Sequence, residues 1–419
     1  TGVGFTDALP AGLVVATPNG LAGSCGGGAI TAVSGSSSVS LAGATLAATG
    51  ACTLSINVVG TTPGVKDNSV TVTSIEGGTG NTSTASLTVA APPAMMKAFG
   101  AASIPLNGTT SLSLTINNPN ATPGFTGLAL NDAFPAGLVV AATPNLVNTC
   151  GGNATADAGA TSISLSAGTL AASAACAVSV DVQGTSVGVK NNSVFPASTE
   201  GGTGNTATAS LTVGAPLAAT KAFGAASIPL NGTTSLTITI NDPNAGLALS
   251  GLSFTDVFPA GIAVAATPNL NNTCGGTATA VAGAGSISLT AGTLAASATC
   301  TVSLDVRGVS PGVQNNSVSV SATESGAGNT ATASITVVGP PTISKSFGAA
   351  SVPLNGSTSL SFTVGNPNSS ADLSAIGFTD TLPAGLVVST PNGLTGSCGT
   401  GTITAAAGAG VISLSGATL

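Results

Sequence analysis

Ser111-Leu112-Ser113-Leu114-Thr115-Ile116 places an apolar residue at every second position and a hydroxyl residue between each. A period of two belongs to a strand with one face in a core and the other toward water. The stretch returns as Ser235-Leu236-Thr237-Ile238-Thr239-Ile240 and as Ser359-Leu360-Ser361-Phe362-Thr363-Val364, so the chain is repetitive as well as alternating. Just upstream, Lys97-Ala98-Phe99 leads to Pro105-Leu106-Asn107, and the string recurs from Lys221 and, with Ser346 in place of Ala98, from Lys345, each 124 positions after the last. Downstream, Phe5-Thr6-Asp7-Ala8-Leu9-Pro10 returns at Leu130 to Pro135, Phe254 to Pro259 and Phe378 to Pro383, each time followed by Ala-Gly.

A fixed period of this kind defines repeated modules. Pro-containing junctions at Ala91-Pro92, Ala215-Pro216 and Gly339-Pro340 predict two complete copies, residues 91–214 and 215–338. They are flanked by residues 1–90, which lack the opening third of a copy, and residues 339–419, which lack the closing third. The chain is therefore expected to be a window on a longer array. A second alternating run joins Cys176, Val178, Val180 and Val182, matched by Cys300, Val302, Leu304 and Val306 and by Cys52, Leu54, Ile56 and Val58. Ile163 with Leu165 and Ile287 with Leu289 mark a third. No segment keeps a 3.6-residue period between helix caps. Short strands separated by Gly, Pro and Asn clusters predict an all-β fold of tandem immunoglobulin-like antiparallel β-sandwiches.

Composition narrows the function. The 419 residues include 6 Lys or Arg, 13 Asp or Glu, and no His, Trp or Tyr. General acid–base catalysis draws chiefly on His and then on Glu, Asp, Lys and Tyr, so the expectation is that the chain is not an enzyme and needs no cofactor. A net charge of −7 opposes the phosphate neutralisation on which nucleic-acid binding rests. Charged residues are 5% of the chain against about 25% in ordinary domains, and mean hydropathy is +0.53. Such a surface repels its own copies weakly, which predicts self-association into filaments or lateral bundles. No apolar run in this window reaches the ~18 residues of a transmembrane helix.

Each copy carries two cysteines: Cys25 and Cys52, Cys150 and Cys176, Cys274 and Cys300. One sits in a Gly-rich loop and the other on the core face of a strand, which predicts disulfides. The partner of Cys398 is expected beyond Leu419. Zinc is disfavoured because the chain has no His and no Cys-x-x-Cys, and no metal is expected. Disulfides imply an oxidising compartment, hence an extracellular or cell-surface location.

The string Asn118-Pro119-Asn120 (Asp242-Pro243-Asn244 and Asn366-Pro367-Asn368 in later copies), then Phe-Thr-Asp-x-Leu/Phe-Pro-Ala-Gly, then Cys150-Gly151-Gly152 and Ser162-Ile163-Ser164-Leu165, resembles the bacterial conserved-repeat domains grouped with domain of unknown function eleven. The resemblance spans essentially the whole chain. It implies immunoglobulin-like modules of secreted or outer-surface bacterial proteins that act as stalks, adhesin shafts or fibres, and it brings no catalytic residues.

Three constellations remain. Lys97, Lys221 and Lys345 share strand parity with Phe99, Phe223 and Phe347 and so point toward the core. Each complete copy also offers acids (Asp132 or Asp256; Glu200 or Glu324) and asparagines (Asn192 and Asn205; Asn316 and Asn329). In some bacterial pilins and adhesins, such a set forms an intramolecular isopeptide bond. The ordinary expectation is a lysine at the sandwich rim, its stem covering apolar surface and its ammonium on a carboxylate. Asp7, Asp132, Asp256 and Asp380, before the Pro-Ala-Gly turn, are expected to bond local backbone N–H groups. Asn118, Asp242 and Asn366 are expected to form Asx turns rather than a calcium site, because two of the three copies lack a carboxylate there.

The expected role is structural, a repeat array forming a surface stalk or self-assembled filament. The alternative is an adhesin whose repeats or unseen tip bind a surface ligand. Binding hot spots favour Trp, Tyr and Arg, and this chain has only Arg307.

Overall fold

A computed structural model describes residues 1–419. The chain is all-β, and no helix is long and apolar enough to cross a membrane. It divides into two compact units, Thr1–Val213 and Gly214–Leu419, each holding two successive copies of the repeat.

In residues 215–338 the fold is a sandwich of two sheets. One is ordered Ala218–Phe223, Thr233–Asn241, Thr299–Gly308, Ile262–Val264. The other is ordered Ser227–Pro229, Gly326–Val338, Gly312–Ala322, Leu249–Val257, Ser286–Leu294, Thr277–Thr279. The opening strand switches sheets: Ala218–Phe223 runs antiparallel to Thr233–Asn241, and Ser227–Pro229 then lies parallel to the last strand, Ser227 opposite Thr336. This sheet switch and the facing antiparallel sheets give the copy its immunoglobulin-like character.

The alternating pattern sets the register. Leu112, Leu114 and Ile116 stand opposite Val180, Val178 and Cys176, and Leu236, Ile238 and Ile240 opposite Leu304, Val302 and Cys300. All twelve face inward and are buried. Burying one such aliphatic side chain is worth about 1.5–3 kcal/mol, and one continuous core fills each complete copy. The third run, Ile163 with Leu165, lies on Ser162–Leu170 and closes the core from the other sheet.

Two local differences separate the copies. Gly312–Ala322 is one uninterrupted strand, whereas its counterpart breaks into Gly188–Val194 and Ala197–Ser198. Pro196 stands where the later copy has Val320, and proline has no N–H to give to a ladder. The run from Cys52 to Val58, expected as a single strand, is split into Thr53–Ser55 and Val58–Gly60. In the complete copies that strand is held along its length by Thr109–Asn117 or Thr233–Asn241. Here its two pieces pair only with the three-residue strands Ala22–Ser24 and Leu13–Val15.

Candidate functional site

Ala94–Phe99 lies at the edge of the first sheet with Met95 and Lys97 turned inward. Facing it in the second sheet is Phe125–Ala133, where Leu128, Leu130 and Asp132 share the inward parity. Gly188–Val194 contributes Lys190, Asn192 and Val194 to the same interior. Three polar groups therefore meet inside an apolar sandwich. Lys97 Nζ donates to Asp132 Oδ2 at 2.5 Å, both side chains have 0% exposure, and Asn192 Nδ2 donates to the same oxygen at 3.2 Å. The next copy repeats the arrangement: Lys221 pairs with Asp256, again with both side chains fully buried, and Asn316 Nδ2 lies 3.3 Å from Asp256 Oδ2.

This corrects two expectations. Lys97 and Lys221 are not at the rim: they occupy core positions set by their parity with the flanking strand residues. Asp132 and Asp256 bond side chains from two other strands rather than local backbone N–H groups. Asp7 follows the same logic, accepting from Asn68 Nδ2 at 2.9 Å. Asp380 accepts from Lys345 through both oxygens at 2.7 Å, but that lysine remains 38% exposed and lies 5.6 Å from the Phe362 ring centroid.

The pocket is closed to solvent, and several of its oxygens have no donor from the protein. Asp132 Oδ1, Asn192 Oδ1, Asp256 Oδ1 and Asn316 Oδ1 are buried without hydrogen-bond partners. Burial lowers the pKa of Lys97 and Lys221, and the carboxylate beside each only partly offsets this. Burial likewise raises Asp132 and Asp256 above the usual carboxylate range against the pull of the adjacent lysine. Both shifts favour the uncharged forms, an amine beside a carboxylic acid.

The remaining candidates do other work. Glu200 accepts Thr126 N at 2.7 Å and Thr126 Oγ1 at 2.5 Å, and Glu324 does the same for Ser250. Hydrogen bonds from the Thr126 side chain and backbone hold Glu200 below its ordinary pKa. Burial pushes Glu324 up, but the Ser250 bonds leave it lowered. Asn205 accepts Met95 N at 2.7 Å and donates to Met95 O at 3.0 Å, and Asn329 holds Ala219 likewise. These amides cap an edge strand's backbone groups, which otherwise invite pairing with another chain.

The Asn-Pro-Asn segments are Asx turns, with Asn118 Oδ1 accepting Asn120 N at 3.0 Å and Asp242 Oδ1 accepting Asn244 N at 2.9 Å. Their second asparagine fastens the opening residue of each copy. Asn120 bonds Ala91 N and O at 2.7 and 2.9 Å, Asn244 bonds Ala215 at 2.7 and 3.1 Å, and Asn368 bonds Gly339 at 2.6 and 2.9 Å.

A further buried lysine was not anticipated from the sequence. Lys190 Nζ donates to Ser186 Oγ at 2.8 Å and sits against Gly137, whose φ is +82° and whose missing Cβ would lie 2.8 Å from that nitrogen. Lys66 and Gln314 occupy the same place in the neighbouring copies. The signal was present, since each lies two residues before the inward asparagine of its strand.

Cys25–Cys52, Cys150–Cys176 and Cys274–Cys300 are disulfides, each with a Cα–Cα distance of 5.0 Å. Cys398 has no partner within the sequence.

Among solved structures, the C-terminal domain of the Streptococcus agalactiae AgI/II polypeptide BspA is similar over 59% of this chain and 100% of its own, at 11% identity and a TM-score of 0.34. The Staphylococcus aureus collagen adhesin CNA is similar over 66% of this chain and 97% of its own, at 9% identity and a TM-score of 0.22. The Yersinia pseudotuberculosis adhesin InvE covers 58% of both chains at 15% identity and a TM-score of 0.21. No curated protein matches the sequence. The family model described as Domain of unknown function (DUF7933) matches residues 1–89, 93–213, 218–337 and 341–419, and the chain belongs to that family.

Proposed function

We propose that the chain is part of an extracellular bacterial stalk, a series of braced β-sandwich modules that acts mechanically and carries out no catalysis. One observation carries this reading: within residues 91–214 and 215–338, the buried lysine, aspartate and asparagine side chains and the cysteines are spent on internal fastening. Lysine meets aspartate inside the sandwich, asparagines hold the opening residue and the edge strand, and cysteines tie the long loop to a core strand. The outward positions of Thr109–Asn117 and Thr233–Asn241 are mostly Ser and Thr. Paired cysteines support an oxidising compartment, and the repeat motifs support kinship with the relatives of domain of unknown function eleven.

A second reading, side-by-side assembly into a filament, is favoured by Val65, Val189 and Val313. These equivalent residues of successive copies are 58%, 62% and 50% exposed. A ligand-holding adhesin shaft is the remaining alternative.

Electron microscopy of the full chain in native buffer tests these readings. Thin unbranched rods of module width support the stalk, and bundles with an axial repeat of one module or a small multiple support the filament. Compact particles would overturn both.

A further inference from the structure

We propose that Lys97 and Asn192, and likewise Lys221 and Asn316, become joined by an intramolecular amide bond, with Asp132 and Asp256 as the proton-transferring acids. The inference rests on the pocket geometry and is independent of the stalk reading. It narrows eleven sequence candidates to two sets of three. Glu200, Glu324, Asn205 and Asn329 are already committed to backbone partners elsewhere, and Lys345, whose side chain is 38% exposed beside Asp380, lacks the burial of the other two lysines.

Three features converge. The nucleophile and the leaving nitrogen contact the same carboxyl oxygen, Asp132 Oδ2, so one acid reaches both ends of the proton transfer. Fixed placement of reacting groups converts a bimolecular reaction into a unimolecular one, and effective molarities in well-oriented cases reach about 10⁵–10⁸ M. The full burial of Lys97 and Asp132 disfavours the ion pair and favours a neutral amine, the form with a free electron pair for attack. Finally, Asp132 Oδ1 and Asn192 Oδ1 lack donors. A protonated acid supplies the donor that the pocket lacks, and buried unsatisfied oxygens are otherwise costly.

The step balances without any co-reactant. Lys97 Nζ adds to Asn192 Cγ, forming an N–C bond. A proton leaves that nitrogen through the Asp132 carboxyl group and reaches Asn192 Nδ2. The Cγ–Nδ2 bond then breaks and ammonia departs. The product is a secondary amide between two side chains, and Asp132 ends as it began, protonated. The bond would connect the first strand of the copy to its penultimate long strand and so tie one sheet to the other.

The test is mass spectrometry of the full chain after complete disulfide reduction and denaturation, with tryptic mapping. The expected mass is below the sequence mass by two ammonia molecules. Trypsin should fail to cut after Lys97 and Lys221, and branched peptides should join each lysine to the segment carrying Asn192 or Asn316. Asp132→Asn and Asn192→Ser should each reduce the loss to one ammonia and restore cleavage after Lys97. The Lys221–Asn316 bond in the same molecule then reports that the chain still folds. A mass equal to the sequence mass, or ammonia loss at Asn192 with Lys97 free, would overturn the proposal.

Discussion

Lys97 donates to Asp132 across the interior of the sandwich, from one sheet to the other, with neither side chain exposed to water. Burying such a pair costs several kcal/mol of desolvation per ion, and hydrophobic replacements are often equally stable. A structural module has little to gain from this pair unless it acts, and the convergence of Asn192 on the same carboxyl oxygen indicates the action. The same three residue types recur one repeat later at Lys221, Asp256 and Asn316.

Removing the acid alone should be severe. Asp132→Ala leaves the buried Lys97 nitrogen without its hydrogen-bond partner, a loss that costs about 1–3 kcal/mol. Hydrogen exchange across Ala94–Phe99 is expected to accelerate strongly, while Ala218–Phe223 in the other complete copy stays protected as an internal reference.

Asp242 offers a gain. Its counterparts Asn118 and Asn366 use Nδ2 to donate to two backbone carbonyls, Asn118 to Pro123 O and Ala171 O at 3.0 and 3.2 Å. Asp242 has no Nδ2 to place there, and its Oδ2 is buried and unpaired. Asp242→Asn should raise the stability of residues 215–338 by roughly 1–3 kcal/mol, seen as a higher denaturation midpoint at neutral pH. An unchanged or lower midpoint would count against this account of the turn.

The disulfides brace the same sandwiches from the loop side. Closing a loop of 26 residues is worth roughly 3–4 kcal/mol on the chain-entropy estimate. Replacing Cys150 and Cys176 together by Ala should lower the stability of residues 91–214 by about that amount, measured by urea denaturation.

Acid should loosen the corners held by Glu200 and Glu324. Both are shifted below the ordinary glutamate value in the folded chain. Their contribution is therefore fully present above that value and is lost as pH falls through the lowered one. Amide protection at Thr126 and Ser250, corrected for intrinsic exchange, is expected to fall in acid. Glu200→Gln and Glu324→Gln should remove that pH dependence.

Much of this was legible from periodicity. Leu112, Leu114 and Ile116 set the strand, its buried face and its partner run at Val178 to Val182, because burial of one face specifies register. The inward direction of Lys97 followed from Phe99 two positions on. The right asparagine was harder to choose. Asn192 and Asn205 both lie near the end of the copy, and only the course of the chain around Pro196 and the hairpin beyond it separates one in the core from one at an edge. Asp132 carried a readable signal, since it shares parity with Leu128 and Leu130, but the Pro-Ala-Gly turn after it suggested a local role. The donors missing from the pocket had no sequence signature at all. They follow from three strands meeting across two sheets.

The most direct test of a covalently braced mechanical array is single-molecule extension of the full chain in reductant, pulled from its two ends. With Lys97 bonded to Asn192 and Lys221 to Asn316, tension bypasses everything between the joined residues, so neither complete copy should release its interior. The double variant Lys97→Arg and Lys221→Arg keeps a long basic side chain but lacks the nucleophilic amine, and should show full-module steps of roughly 3.3–3.6 Å per freed residue. Full-module steps of that size in the unmodified chain would contradict the account.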